Sequence, residues 1–182
     1  MLFTETELSG AFIIDLERRA DQRGFFARAF CAQEFAQHGL RTTFVQMNIS
    51  HSSVKGTVRG LHYQVGAAAE SKVVRCTRGA VFDVIVDLRP DSLTYLRHVG
   101  WQLTADNRRA FYVPKMFAHA YQALTADAEV LYQVDAMYAP GSERGLRYDD
   151  PTLGIVWPVP VTVVSEKDRA WPLILPDTRV EV

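Results

Sequence analysis

Residues 80–88 place Ala80, Phe82, Val84, Val86 and Leu88 on one side of an extended chain and Val81, Asp83, Ile85 and Asp87 on the other. A period of two with so many β-branched side chains makes this a strand with one wholly apolar face, and such a face must be covered by a second layer. Further strand-like runs occupy 10–16, 42–49, 58–64, 72–77, 97–103, 110–113, 121–124 and 130–137, with Gly, Pro, Asn or Asp in most of the gaps. Many short strands at this spacing specify a β-sandwich or barrel. One short helix is expected over 33–38, ended by Gly39 in the left-handed conformation. Beyond Ala139 the chain turns irregular, with Pro140, Pro151, Pro158, Pro160, Pro172 and Pro176 all unsuited to the middle of a central strand. This segment is expected to wrap over the sandwich, with residues 177–182 loose.

No repeat, low-complexity tract or composition shift divides the chain, so its 182 residues, 48% of them hydrophobic, are read as one domain with its own core. A formal charge of −1 excludes a global attraction to nucleic acid or an anionic membrane. Any anion must be held by locally placed Arg and Lys, which points to a small partner. Cys31 and Cys76 have neither metal-ligand spacing nor a disulfide framework and are read as small buried apolar residues, as in a reducing cytoplasm. The N-terminal stretch carries Glu5 and Glu7 in place of a basic start, and no run of about 20 apolar residues occurs, so a soluble protein is expected.

The chemistry centres on Arg59-Gly60-Leu61-His62-Tyr63-Gln64, where one histidine sits among cationic, aromatic and amide groups. On a regular strand His62 shares a face with Val58, Gly60 and Gln64, and Arg59 points the opposite way. A bulge at Gly60 would turn Arg59 and His62 to one side. Lys72 shares a face with Val74 and Cys76, and Tyr132 with Val130 and Val134. If these faces line one interior, His62, Lys72 and Tyr132 converge in a largely apolar cavity. With a carboxylate from Ser165-Glu166-Lys167-Asp168 they supply a base, a cation and an acid for proton transfer. Taken singly, each has a structural reading: His62 a hydrogen-bonded core histidine, Tyr132 a core aromatic, Lys72 a solvated edge lysine. A metal centre does not fit, because the second residue after His62 is Gln64 and His38, His51, His98 and His119 are scattered, whereas a stable site needs three or four donors. Phosphate-loop and dinucleotide-binding glycine patterns are absent.

Arg23-Gly24-Phe25-Phe26, Phe44-Val45-Gln46-Met47-Asn48, Arg59 to Gln64, Phe117-Ala118-His119, Tyr138-Ala139-Pro140 with Glu143 and Gly145, Asp150-Pro151, Trp157-Pro158 and Ser165 to Asp168 together resemble the dTDP-4-dehydrorhamnose 3,5-epimerase family. The match runs in order over nearly the whole chain. It implies a cupin-type antiparallel β-sandwich, or jelly roll, with short helices and an irregular C-terminal segment. It also implies a cytoplasmic homodimer whose N-terminal strands reach the neighbour's site. The implied activity is an isomerase reaction without cofactor or metal: epimerisation at C3 and C5 of a nucleotide-linked 4-keto-6-deoxyhexose, in the rhamnose branch of deoxysugar and carbohydrate biosynthesis. By the same resemblance His62 is the base, Asp168 its orienting carboxylate, Tyr132 the acid and Lys72 the cation beside the developing oxyanion. Positioned acid–base groups contribute about 10² to 10⁴-fold, and a charge at the oxyanion adds to that. Arg23 and Arg59 correspond to cations on the diphosphate, with Lys167 nearby. Phe26 and Tyr138 correspond to aromatics at the nucleobase, and Gln46, Asn48, His119 and Glu143 to further ligand contacts. Asp83 reads as a supporting carboxylate.

The chain departs from the family pattern at several positions. Arg28 stands where an acid is usual, in the segment expected to face the nucleotide, and Glu70 where Gln is usual. Lys115-Met116, Ala120, Tyr148 and the loop 94–98 also differ, and all are expected near the pocket mouth. These differences leave open a mono-epimerase acting at C3 or C5 alone, a sugar or base other than the rhamnose pathway's, and, more remotely, a non-catalytic sugar-nucleotide-binding sandwich or a metal-dependent enzyme of the same fold.

Overall fold

A computed structural model describes residues 1–176 and 179–182. Its elements in chain order are β1 (Leu2–Glu5), β2 (Phe12–Asp15), β3 (Arg19–Asp21), β4 (Gly24–Phe26), α1 (Ala32–Gln37), β5 (Gln46–Ser52), β6 (Val58–Gln64), β7 (Lys72–Arg78), β8 (Ala80–Asp87), β9 (His98–Thr104), β10 (Ala110–Val113), β11 (Phe117–Ala123), β12 (Ala128–Val134), β13 (Glu143–Gly145) and α2 (Glu166–Ala170). Strands β1-β2-β10-β7-β12-β5 form one antiparallel sheet and β13-β6-β11-β8-β9 a second, while β3 and β4 form a separate hairpin. The expected antiparallel sandwich is the fold found.

The two sheets close on a core that includes Ile13, Val74, Cys76, Ile85, Leu103, Phe111, Phe117 and Val130. Strand β8 shows how the alternation is used. Val81 and Ile85 pack into this inter-sheet core, whereas Val86 and Leu88, from the all-apolar face, join an outer cluster with Leu61, Tyr63, Ala118 and Leu153. The C-terminal segment covers that cluster through Ile155, Trp157, Ile174, Val180 and Val182, so the expected wrap exists and closes the outer face of the five-stranded sheet. On the opposite side, α1 buries Phe35 against Ile14, Val73, Ala110 and Tyr112, ringed edge-on by Phe3, Phe30 and Phe44.

Several expectations need correcting. The run placed at 42–49 is a strand at Gln46–Ser52, because β5 extends as far as its pairing with β12, from Val134↔Gln46 to Ala128↔Ser52. Helix α1 spans Ala32–Gln37, one residue earlier at each end than expected, with His38 as its C-cap and Gly39 at φ +70° as anticipated. The tail is not loose where it is described: Val180 N–H donates to the Tyr95 hydroxyl at 2.8 Å and Glu181 pairs with Arg144. Asp177 and Thr178 lie outside the described residues. Cys76 is buried, but Cys31, which precedes α1, is only partly so. Among the described residues no helix is long and apolar enough to cross a membrane.

Candidate active site

A cavity of about 640 Å³ opens between the sheets, with β5, β7 and β12 on one wall and β6 and β11 on the other. Gly60 shapes the second wall. In the pairing of β6 with β11, His62 stands opposite His119 but Arg59 opposite Tyr121, so Gly60 and Leu61 together face the single residue Ala120. That bulge brings Arg59 and His62 onto one side, as the sequence anticipated, and both line the cavity. Only glycine fits here. Its φ is +110°, and a Cβ would come within 2.5 Å of the His119 carbonyl oxygen and 2.7 Å of the Ala120 Cβ.

His62 Nε2 lies 2.5 Å from Asp168 Oδ1, and Asp168 Oδ2 accepts the Gly60 N–H at 3.3 Å. The carboxylate is delivered by α2, whose first turn is capped by Ser165: its Oγ accepts the Asp168 N–H at 3.0 Å. Burial pushes the Asp168 carboxyl up, but the His62 ring, the Gly60 N–H and Ser165 outweigh it and hold the group below its ordinary value. It therefore stays ionised and fixes Nε2 as the protonated nitrogen, leaving the Nδ1 lone pair free to accept a proton.

Across the cavity, β12 places Tyr132 between Val74 of β7 and Asn48 of β5, and the next inward row aligns Lys72, Val134 and Gln46. Burial raises the Tyr132 phenol, Glu70, Tyr121 and Glu143 add to that, and Arg59 opposes it, so the hydroxyl keeps its proton. Lys72 Nζ pairs with Glu70 Oε1 at 3.1 Å. Arg59 bridges the walls, donating to Ser52 Oγ at 3.2 Å and to the His51 carbonyl at 2.7 Å. His119 Nε2 lies 3.0 Å from both oxygens of the fully buried Asp83, giving the carboxylate in the mixed face of β8 its partner.

At the rim, the Tyr138 hydroxyl donates to Glu143 Oε2 at 2.7 Å and Lys167 Nζ donates to the same oxygen at 2.6 Å. Burial raises the Glu143 carboxyl, yet Lys167 and Tyr138 more than reverse this and lower it; in turn Glu143 raises both Tyr138 and Lys167. Gln46 Oε1 accepts the Tyr138 N–H at 2.7 Å.

The residues His62, Lys72, Tyr132, Asp168, Gln46, Asn48, Arg59, His119, Tyr138, Glu143 and Lys167 thus share one cavity. Arg23, Phe26 and Arg28 do not line it. Arg23 pairs with Asp21 within the exposed β3–β4 hairpin, Phe26 is 69% exposed, and Arg28 pairs with Glu34 of α1. Of the departures expected at the mouth, only Glu70 lines the cavity. Ala120 packs behind Gly60 in the outer cluster, Lys115 lines a separate small pocket with Arg41 and Asp135, and residues Ser92 and Thr94 bind Asp87. Sequence reasoning left Glu70, Gln64, Tyr121 and Ser50 without a site role. Glu70 and Gln64 could have been found from their period-two relation to Lys72 and His62, but Ser50 and Tyr121 meet, at 2.8 Å, only through the packing of the two sheets. Among the described residues no group of three or more His, Cys, Asp or Glu is placed to hold a metal ion.

A carboxylate-held imidazole on one wall and a protonated phenol on the other can remove a proton from one face of a carbon acid and return one to the opposite face. Known proteins with this architecture match closely. A profile described as dTDP-4-dehydrorhamnose 3,5-epimerase matches residues 5–175. The enzyme of that name from Methanothermobacter thermautotrophicus is 43% identical over 172 residues, 93% of this chain and 92% of the relative. Among solved structures, the dTDP-4-dehydrorhamnose 3,5-epimerase of Bacillus anthracis with TDP and PPi bound has a TM-score of 0.91 at 39% identity, covering 95% of this chain and 99% of the other. The dTDP-6-deoxy-D-glucose-3,5-epimerase of Legionella pneumophila in complex with dTDP-4-keto-L-rhamnose has a TM-score of 0.88 at 40% identity, covering 94% and 92%. With the fold, the cavity and nearly the full length of the chain in agreement, the protein belongs to the dTDP-4-dehydrorhamnose 3,5-epimerase family.

Proposed function

We propose that this chain, as one domain of residues 1–182, epimerises C3 and C5 of dTDP-4-dehydro-6-deoxyglucose by proton transfer alone, supplying the rhamnose branch of deoxysugar biosynthesis in the cytoplasm. The observation that carries this reading is the His62–Asp168 pair facing Tyr132 across one cavity. The C4 ketone acidifies the adjacent C–H bonds. His62 Nδ1 takes the proton from C5 or C3, and the C–H electron pair moves into an enolate whose charge rests on O4. Lys72 is the cation for that oxygen. Tyr132 then delivers its hydroxyl proton to the opposite face of the same carbon, inverting it. The resulting imidazolium and tyrosinate are reset by proton exchange with water before the second carbon reacts. Arg59 and Lys167 serve the diphosphate, Tyr138 the nucleobase, and Gln46, Asn48, His119 and Glu143 further polar contacts.

The active unit in this reading is a homodimer. Val45, Met47 and Ile49 leave an apolar strip exposed along the outer edge of the six-stranded sheet, Met47 at 57% and Ile49 at 66%, and such a strip favours a protein partner. The β3–β4 hairpin, standing off the sandwich, would carry Arg23, Phe26 and Arg28 into the neighbour's cavity. The test is incubation with dTDP-4-dehydro-6-deoxyglucose in deuterated water without added metal, followed by proton NMR. Deuterium at both C3 and C5 is expected, deuterium at one carbon makes the protein a mono-epimerase, and no exchange overturns the reading.

A further inference from the structure

Glu70 is the one acidic group of the cavity wall bonded directly to a proposed catalytic cation, among the described residues. Lys72 Nζ is 3.1 Å from Glu70 Oε1, and the two side chains are only 10% and 11% exposed. The other oxygen is also engaged, since Oε2 accepts from Gln64 Nε2 at 3.0 Å. The backbone beside it is pinned as well: Ser71 N–H donates to Asp135 Oδ1 at 2.6 Å, and Asp135 N–H returns a bond to the Ser71 carbonyl at 3.2 Å. With both oxygens and the flanking peptide held, the carboxylate cannot swing away from the ammonium. An ion pair this poorly hydrated costs free energy to bury, and breaking it costs more, so Lys72 stays where Glu70 holds it.

We propose that Glu70 is a positioning residue of the epimerisation, presenting Lys72 to the ketone oxygen as one half of a fixed ion pair rather than as a free cation. Lys72 and Tyr132 are diagonal neighbours on one face of β7 and β12, a spacing of about 7–8 Å that long side chains span. The charge of Glu70 is therefore felt at Tyr132, together with those of Arg59 and Glu143 and the phenol of Tyr121, while Lys72 and His62 line the same cavity. Glu70 acts in the direction that keeps the phenol protonated. The ammonium steadies the enolate, and the carboxylate behind it keeps the acid from losing its proton early.

This inference rests on the epimerase reading, and the experiment separates the two. Formation of inverted product is measured against pH for the wild type, Glu70→Gln and Glu70→Asp, with deuterium incorporation followed alongside and each variant checked for folding by circular dichroism. The wild type should exchange, and its rate of inversion should show a falling limb at high pH. In Glu70→Gln that limb should move down by about one pH unit, as expected when a nearby negative charge is removed. Glu70→Asp keeps the charge on a shorter arm, so its limb should stay near the wild type's while kcat falls. A wild type that does not exchange overturns the epimerase reading and this inference with it. An exchanging wild type whose limb is unmoved in Glu70→Gln, or moves as far in Glu70→Asp, overturns the inference alone. Should Glu70→Gln not fold, Glu70→Asp decides: an unmoved limb with reduced kcat supports the role, and a wild-type kcat ends it.

Discussion

Asp168 is a residue on which the fold depends and, in the proposed mechanism, the reaction as well. It holds the His62 ring, ties the β6 bulge through Gly60 and is itself placed by the Ser165 cap. Because its folded pKa is lowered, its stabilisation is fully present above the ordinary carboxylate value near 3.9 and is lost as the pH falls through the lower folded value. Asp168→Asn should therefore unfold about 1–3 kcal/mol more readily at pH 7, with the gap to the wild type closing only below about pH 4. Denaturant melts across that range check it; a gap independent of pH would contradict the assignment. The amide should also lower turnover by about 10² to 10⁴-fold, since it neither fixes the tautomer nor balances the imidazolium. From local pattern the tetrapeptide Ser165 to Asp168 offers a carboxylate without saying which, and the family motif singles out Asp168; nothing in the sequence announces that a five-residue helix buries it against a strand 106 positions earlier.

At the scale of elements, β6 and β8 do most to place the chemistry. Gly60→Ala adds a methyl where the backbone of β11 already stands, at a φ alanine avoids, and should cost about 2 kcal/mol or more while turning Arg59 or His62 out of the cavity. A variant of unchanged melting temperature and activity would show that the bulge is dispensable. Strand β8 ends in Asp87, whose carboxylate accepts from Arg89, Ser92 and Thr94 and so fixes the loop leading to β9. Burial raises that carboxyl, but these donors bring it down to about 2. Its contribution, about 2 kcal/mol, is present above the unfolded value near 4 and disappears as the pH falls through about 2, so Asp87→Asn should narrow the wild type's stability lead only over that interval. The longer strands β6, β7, β8 and β12 were readable because their periodicity is their packing, and β10 because its short apolar run is buried throughout. Strands β1, β3, β4 and β13 were not, because segments of three or four residues that are wholly or partly exposed carry no period and exist only through their partners.

For the whole molecule, the sandwich class follows from strand count and spacing, and the covering of one outer face follows from the proline-rich C-terminal segment. What the local patterns could not give is which faces meet: Asp83 with His119 and Ser50 with Tyr121 are products of sheet pairing and sheet stacking. Assembly belongs to this scale too. The wild type should sediment as a dimer, and Ile49→Lys, which puts a charge into the exposed apolar strip, should sediment as a monomer with much reduced activity; a monomeric, fully active wild type would remove the shared site. The central claim is that one wall removes the proton and the other returns it. The most direct measurement follows C3 and C5 of dTDP-4-dehydro-6-deoxyglucose in deuterated water with wild type, His62→Ala and Tyr132→Phe side by side. The wild type should incorporate deuterium with inversion at both carbons, His62→Ala should incorporate none, and Tyr132→Phe should still wash out protons while forming little inverted product. Exchange at the wild-type rate in His62→Ala, or inversion at an unchanged rate in Tyr132→Phe, would contradict it.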